Sequence, residues 1–154
     1  METTISELLR VRGSTVHTVK PDSTVIDALQ TMARYKIGAV LVVNSDGVPV
    51  GIFSERDFAR KAAEQFPLPS ETPIQELMTV DLVTVTPAHT VQECMASVTD
   101  RRVRHLPVVE EGRLLGIVSI GDLVKAAIAE KEALINEKQS LIQKLEGYIS
   151  GTIS

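Results

Sequence analysis

Residues 102–109 read Arg102-Val103-Arg104-His105-Leu106-Pro107-Val108-Val109, and residues 116–122 read Gly116-Ile117-Val118-Ser119-Ile120-Gly121-Asp122. The first segment sets three basic side chains at the start of a short apolar run. The second places a serine and an aspartate where a strand leads into a helix. A fainter copy of both lies about 65 residues earlier, at 36–43 and 51–57. An internal repeat of this kind predicts two similar structural units in one chain.

Each copy predicts the element order β-α-β-β-α. In the first copy, the β-branched segment Val16–Val19 indicates a strand, and apolar residues at 25, 28, 29 and 32 have helical spacing. Two further strands are expected at Ala39–Val43 and Val50–Phe53, joined by the turn Asn44–Gly47. The second copy repeats this order, and its first strand is expected at Leu82–Val85.

An amphipathic turn opens each copy, at Ile5–Leu9 and at Ile74–Met78. Asp57 and Asp122 are expected to cap the helices that follow the last strands. Prolines are dense between the copies, which indicates a linker. The predicted organisation is therefore repeat 1 at 5–66, a linker at 67–73, repeat 2 at 74–124 and a C-terminal helix at 125–150.

The segment from Leu123 to Glu146 contains neither proline nor glycine and predicts one long helix. Its apolar residues recur at a spacing close to 3.5, and Gly147 and Gly151 are expected to end it. A long amphipathic helix needs a surface that covers its apolar stripe. A homodimer contact is the preferred interpretation, and packing along its own protomer is the alternative.

Composition narrows the class of protein. The chain has 154 residues, a net charge of −4 and 44% hydrophobic residues, which fits a globular protein and argues against general nucleic-acid binding. Its one cysteine, Cys94, lies on the apolar face of a predicted helix, so we expect a buried, unreactive thiol. No secretory signal and no membrane-spanning apolar run are visible, which predicts a cytoplasmic protein.

The spacing Gly-x-x-Ser-x-x-Asp occurs in both copies and brings Ser54 with Asp57 and Ser119 with Asp122. A carboxylate at a strand-to-helix junction can accept hydrogen bonds from the hydroxyls of a ribose, and free N–H groups at the helix start can bind phosphate. Each aspartate can equally be a plain helix cap. Recurrence of the spacing in both copies favours a site for a phosphorylated sugar.

Basic and apolar side chains beside these junctions suit the rest of such a ligand. Arg102, Arg104 and His105 provide charge for phosphate oxygens, and arginine can bind phosphate in a bidentate way. Val103 and Ile37 can wall an apolar slot for a purine. The alternative is that the arginines form a solvated surface.

The chain resembles a pair of CBS domains, the tandem Bateman module. The resemblance rests on Val16–Pro21 with Leu82–Pro87, on Arg104–Val109 and on both Gly-x-x-Ser-x-x-Asp segments. It covers roughly Ile5–Val124, and the final helix is similar to that of stand-alone CBS-pair proteins, including the plant CBSX type. The resemblance implies an α+β (α/β sandwich) fold, with two repeats related by pseudo-two-fold symmetry and two clefts between them.

The same resemblance implies a non-catalytic regulatory module. Such modules bind adenosyl ligands such as AMP, ADP, ATP, NAD(H) or S-adenosylmethionine, and two of them often associate into a disk-like dimer. The module would signal energy or redox state to a partner protein whose identity the sequence does not reveal. The nucleotide-binding residues that it implies are Lys20, Ile37, Gly38, Ala39, Val40, Ser54, Arg56, Asp57, Thr86, Arg102, Val103, Arg104, His105, Leu106, Ser119, Gly121 and Asp122.

The two copies differ where charge matters most. The first has Gly38-Ala39 where the second has Arg104-His105, and Glu55-Arg56 where the second has Ile120-Gly121. The two clefts are therefore expected to differ in affinity, with Asp122 as the first residue to test.

Two other classes of function compete with nucleotide sensing. One is a homodimeric assembly module with no physiological nucleotide. The other is an enzyme, which the sequence disfavours because His17, His89 and His105 lack metal-ligand spacing and no cysteine pair exists. We therefore expect no catalytic residue, no metal, no catalytic cofactor and no membrane or nucleic-acid partner.

Overall fold

The computed structural model describes residues 2–150, with Ser150 described by its backbone alone. The predicted fold class is confirmed, because short sheets and helices alternate in two copies before one long final helix. In chain order the elements are α1 (Ile5–Arg12), β1 (Thr18–Val19), α2 (Val25–Tyr35), β2 (Ala39–Val43), β3 (Pro49–Ser54), α3 (Glu55–Glu64), a 3-10 turn (Ile74–Glu76), α4 (Val91–Arg101), β4 (His105–Glu110), β5 (Arg113–Ser119) and α5 (Ile120–Ser150).

The two sheets are less alike than the sequence predicted. In the first, β2 lies between β1, which is parallel to it, and β3, which is antiparallel. In the second, β4 pairs with β5 alone, and the strand expected at Leu82–Val85 is reduced to a single bridge between Val85 and Val108. The strand expected at Val16–Val19 is likewise shortened to β1.

A proline explains the missing strand of the second copy. The N–H of Val85 donates to the carbonyl of Pro107 at 3.0 Å, and the N–H of Val109 donates to Val85 at 2.9 Å. The next bond of a parallel ladder would need the N–H of residue 107, which proline lacks. In the first copy Leu41 stands at this place, and its N–H reaches the carbonyl of His17 at 3.4 Å.

Each copy contributes its opening turn to the core of the other copy. Ile5 and Leu8 of α1 are buried in the core of the second copy, where Cys94 is also buried. Ile74 and Leu77 are buried with Phe53 in the core of the first copy. The repeats seen in the sequence are therefore intertwined in the fold, and neither core is complete without the other half of the chain.

Burial of Cys94 agrees with the expectation of an unreactive thiol. Its side chain is fully buried, and burial raises the pKa of the thiol to about 11. Since the thiolate is the reactive form, almost none is present at neutral pH.

Reciprocal hydrogen bonds start the helices, and they correct the predicted caps. The hydroxyl of Ser54 accepts from the N–H of Asp57 at 3.2 Å, and the carboxylate of Asp57 accepts from the N–H of Ser54 at 3.0 Å. Ser54 is therefore the N-cap of α3, and Asp57 is the third helical residue. Ser119 and Asp122 make the same pair at 3.1 and 2.8 Å.

The last helix is continuous with the helix that follows β5, and it passes through one of the two glycines expected to end it. α5 continues through Gly147 to Ser150, so Gly147 does not end it, while Gly151 lies outside the described residues. Its first turns pack on the second core through the fully buried Leu123, but residues 131–146 are all exposed. Packing along its own protomer therefore does not cover this stretch. Within residues 2–150, no helix combines the length and apolarity needed to cross a membrane.

Candidate functional site

A cleft of about 870 Å³ opens between the two copies. Four chain segments form it: Gly38 just before β2, the β3–α3 junction, the segment 79–83 that enters the second copy, and residues 102–105 at the start of β4. The lining residues are Gly38, Ile52, Ser54, Glu55, Arg56, Asp57, Ala59, Arg60, Thr79, Asp81, Leu82, Val83, Arg102, Val103, Arg104 and His105.

Asp57 is the buried charged group of this cleft. It is 7% exposed, and it is the one buried charged side chain among the described residues. Its Oδ2 accepts from the N–H and the hydroxyl of Ser54 at 3.0 and 3.1 Å. These local bonds hold the carboxylate in place at the start of α3, because they form within one helical turn.

The second carboxylate oxygen of Asp57, Oδ1, accepts from one exposed and one anchored donor. Oδ1 accepts from Nη2 of Arg60 at 2.8 Å and from the hydroxyl of Thr79 at 3.3 Å. Arg60 lies one turn further along α3 with its side chain 59% exposed, so its ion pair is weak. Thr79 is positioned by a backbone bridge to Ile52, with N–H to carbonyl distances of 2.8 and 2.9 Å. Oδ1 thus already accepts from one anchored hydroxyl, and the hydroxyl of a sugar can replace the weaker donor, Arg60.

The cleft carries more arginine than carboxylate. Four arginines, Arg56, Arg60, Arg102 and Arg104, line it together with three carboxylates, Glu55, Asp57 and Asp81. Arg102 ends α4 in the left-handed conformation, with φ 55°, immediately before the segment that borders the cleft. One planar guanidinium can bind two phosphate oxygens at once, so this lining suits a phosphorylated ligand.

His105 lies at the boundary between the two copies and next to Gly38. A Cβ atom built on Gly38 would lie 3.7 Å from Nε2 of His105 and 3.8 Å from Oε1 of Glu55. These are ordinary van der Waals distances, so Gly38 of the first copy lies directly beside His105 of the second.

His105 is a neutral side chain at neutral pH. Burial lowers its pKa below the ordinary value of 6.5, and the positive charge of Arg104 lowers it further, whereas Asp122, Glu55 and Asp57 oppose the shift. The unfolded chain therefore takes up this proton more readily, so the group reduces stability as the pH falls below about 6.5. At neutral pH the arginines therefore supply the positive charge of the cleft, and His105 offers a hydrogen bond rather than a charge.

Asp122 has a different environment from Asp57. Its Oδ2 accepts from the N–H of Ser119 at 2.8 Å and also lies 3.0 Å from Nε of Arg12. Arg12 reaches it from the end of α1 and donates through Nη1 to the carbonyl of Ile117 at 2.6 Å. A cation from another element therefore covers this aspartate.

The structure brings eight of the predicted site residues into the cleft and leaves nine outside its lining. Arg104 and His105 join Asp57 of the first copy, whereas Asp122 of their own copy is held by Arg12. The predicted residues in the lining are Gly38, Ser54, Arg56, Asp57, Arg102, Val103, Arg104 and His105. Those outside it are Lys20, Ile37, Ala39, Val40, Thr86, Leu106, Ser119, Gly121 and Asp122.

The residues outside the lining have identifiable surroundings. Val40 and Leu106 are fully buried in the cores, so their side chains face no ligand. The backbone N–H of Lys20 donates to Ser23 in the turn before α2, and Thr86 bonds to His89 before α4. The backbone N–H groups of both residues are therefore used within the turn before the next helix.

Sequence reasoning missed several lining residues. Ala59 and Arg60 could have been found, since they follow Asp57 by two and three residues on a predicted helix. Thr79, Leu82 and Val83 carried no local signal, because only the crossing between the copies brings them to Ile52 and Asp57. The described part of the chain holds no cluster of three or more metal-ligating side chains.

Comparison with known proteins gives consistent results. The CBS domain family model matches residues 5–64 and 74–129. The chain is similar to CBS domain-containing protein CBSX3, mitochondrial, of Arabidopsis thaliana, with 34% identity over 97% of this chain and 73% of that protein. It is also similar to a CBS-domain-containing protein of Agrobacterium tumefaciens of known structure, with 42% identity, a TM-score of 0.78 and coverage of 81% of this chain and 99% of that one.

A more distant solved structure shares the fold alone. It is the CBS domain pair of a protein in complex with 5′-methylthioadenosine and S-adenosyl-L-methionine, with 22% identity and a TM-score of 0.74. The match covers 84% of this chain and 99% of that one.

Proposed function

The chain belongs to the CBS-domain family and carries two CBS domains in tandem, and from this premise we propose that it is a non-catalytic regulatory module that binds an adenine nucleotide beside Asp57. One observation carries the proposal. A buried carboxylate already accepts a bond from a hydroxyl inside a cleft lined by four arginines. That combination suits a ligand with both ribose and phosphate.

Each part of such a ligand finds matching chemistry in the cleft. A ribose hydroxyl would donate to Oδ1 of Asp57 in place of Arg60, whose released guanidinium could then bind phosphate. The side chains of Ile52, Val83 and Val103 offer apolar walls for adenine. The volume of about 870 Å³ lies in the usual range of about 300–1,000 Å³ for small-molecule sites.

Regulation would follow from the position of the cleft between the two copies. A nucleotide that contacts both copies stabilises one relative arrangement of them, and a partner protein can read that arrangement. AMP, ADP, ATP and NAD(H) all fit this class, so the signal would be energy or redox state. The cytoplasmic location stays a prediction, since the Arabidopsis relative is named as mitochondrial.

A thermal-shift series tests the nucleotide class. AMP, ADP, ATP, NAD and NADH are compared with S-adenosylmethionine, which lacks phosphate. A nucleotide at a hundred times its dissociation constant stabilises the fold by about 2.7 kcal/mol. For a chain of this size that raises the melting temperature by about 5–10 °C. Inorganic triphosphate is the control for charge alone.

Two outcomes of this series would contradict the proposal. One is an unchanged melting temperature with every nucleotide. The other is an equal shift with inorganic triphosphate, which would mean that the arginines bind any polyanion and that Asp57 takes no part.

The second candidate function, homodimeric assembly, has its own supporting observation on α5. Isoleucine recurs every seven residues at Ile128, Ile135, Ile142 and Ile149, and each of these side chains is at least half exposed. A seven-residue apolar repeat is the pattern of helices that pack against each other. We propose that a second copy of the chain covers this stripe.

Charge on the stripe supports a like partner. Lys131 and Lys138 interrupt it, and none of the ion pairs among residues 2–150 involves either lysine. Neither has a carboxylate three or four residues away on the helix, the spacing needed for a pair within α5. Glu132 and Glu137 of a second α5 can supply the missing partners.

Ile135→Glu is expected to convert a dimer of the chain into a monomer. Pairing would bury the new carboxylate in an apolar seam, which is unfavourable without a partner. Light scattering coupled to size-exclusion chromatography measures the mass. Asn136→Glu adds the same charge at the adjacent exposed residue and should leave the dimer intact. A dimer that persists in Ile135→Glu would show that α5 is not the contact.

A further inference from the structure

Arg12 performs at the Asp122 junction the tasks that Thr79 performs at the Asp57 junction. Beside Asp57, the N–H of Thr79 donates to the carbonyl of Ile52 at 2.8 Å, and its hydroxyl donates to the carboxylate at 3.3 Å. Ile117 and Asp122 occupy the corresponding places in the second copy. There one guanidinium makes both contacts, at 2.6 Å to the carbonyl and 3.0 Å to the carboxylate.

The two arrangements leave different amounts of freedom at the carboxylate. A threonine approaches Asp57 with a small neutral hydroxyl, and the segment that follows it forms one wall of the open cleft. An arginine brings a planar cation that lies against Asp122 and neutralises its charge. A ribose hydroxyl at Asp122 would therefore compete with a charge-assisted bond, which is stronger than a neutral one.

Arg60, the cation beside Asp57, is a much weaker competitor than Arg12. The side chain of Arg60 is 59% exposed, and its one described contact is the carboxylate one turn before it on α3. The side chain of Arg12 is 34% exposed and also contacts two backbone carbonyls, those of Ile117 and Gly13.

The rigid guanidinium makes displacement of Arg12 an all-or-nothing event. Nε and Nη1 belong to one planar group, so moving Nε away from Asp122 also pulls Nη1 away from the Ile117 carbonyl. That carbonyl would lose a donor that no ligand hydroxyl at Asp122 replaces. Beside Asp57, by contrast, the Ile52 carbonyl keeps the backbone donor of Thr79 when Arg60 leaves.

From this geometry we infer that Arg12 is an intrachain occupant of the Asp122 half of the module, so that each chain binds one nucleotide, beside Asp57. The inference rests on the proposed nucleotide-binding function and adds its stoichiometry and the residue that sets it. It reverses the priority that the sequence suggested, because Asp122 becomes the closed position and Asp57 the open one.

Isothermal titration with ATP tests the inference by stoichiometry. The wild-type chain should bind one ATP per chain, and Arg12→Ala should bind two, because the substitution uncovers Asp122. The double variant Arg12→Ala/Asp57→Ala should return to one tightly bound ATP, because the site beside Asp57 is then weakened. Arg10→Ala removes an exposed basic side chain from the same helix without touching Asp122, and it should leave the value at one.

The outcomes separate this inference from the proposed function. Two ATP molecules on the wild-type chain, or one on a folded Arg12→Ala chain, would overturn the role of Arg12 while leaving nucleotide binding intact. If the wild-type chain binds no ATP, the proposed site beside Asp57 fails. In that case the Arg12→Ala chain tests the inference by itself. Binding of one ATP per chain supports occupation of Asp122 by Arg12, and absence of binding overturns it. A cooperative thermal transition for each variant establishes that it is folded.

Discussion

Asp57→Ala is expected to lower the affinity of the chain for ATP by about 10- to 100-fold, the loss that follows from removing a hydrogen bond to a charged group. Among the described residues Asp57 is the one buried charged side chain, and its Oδ1 already accepts from a hydroxyl at 3.3 Å. Without the carboxylate, the arginines could still bind the phosphates of ATP, but the ribose would lose its hydrogen bond to Oδ1. Isothermal titration measures the dissociation constant directly.

The control for this substitution is a matched helix start elsewhere in the fold. Asp27 is the third residue of α2, and it makes the same reciprocal pair with Thr24, at 3.1 and 3.2 Å, away from the cleft. Both Asp27→Ala and Asp57→Ala remove the side chain that accepts from the N-cap N–H, at a cost of about 1 kcal/mol of stability for that bond. Only Asp57→Ala should weaken ATP binding. Equal affinities in the two variants would refute the role of Asp57.

Ile5→Ala is expected to lower the free energy of unfolding by about 2–5 kcal/mol, a large share of the stability of a typical domain. Ile5 opens the first copy in the sequence, yet it is fully buried in the core of the second copy. Truncating it leaves a cavity in the second core, which also contains Val91, Cys94 and Leu106. Urea unfolding followed by circular dichroism measures the loss.

Val11→Ala provides the comparison on the same helix. Val11 is 90% exposed, so its truncation should change the free energy of unfolding by no more than about 0.5 kcal/mol. Similar effects of Ile5→Ala and Val11→Ala would mean that α1 does not pack into the second core. Ile74 is the reciprocal case, because it starts the second copy and is fully buried in the first core.

The segment 74–83 contacts both cores and also borders the cleft. Ile74 and Leu77, shortly before Thr79, anchor this segment in the first core, and Val83 packs against the second core. A ligand beside Asp57 therefore touches a segment that is held by both copies. Movement of one copy relative to the other must displace that segment. Nucleotide binding beside Asp57 would therefore be coupled to the relative position of the two copies.

Local patterns in the sequence were sufficient for most of the fold. The repeat, the fold class and the start of α3 at the Gly-x-x-Ser-x-x-Asp motif depend on residues a few positions apart. The predicted cap is wrong by one partner of the pair: the sequence predicts aspartate as the N-cap, whereas Ser54 is the N-cap and Asp57 is the third helical residue. The loss of the strand at Leu82–Val85 also had a visible cause, because Pro107 lacks the N–H that a longer ladder requires.

What the sequence determined by itself is the pair of repeated junctions, with a serine and an aspartate at each, and the arginine-rich stretch at 102–104. These features are local, and the resemblance to CBS domains follows from them. Only the tertiary structure decided how they combine, placing Arg104 and His105 in the lining of the same cleft as Asp57 of the other copy. It also placed Arg12 on Ile117, a separation of 105 residues. Because these contacts arise from the crossing of the two opening turns between the cores, no spacing along the chain reveals them.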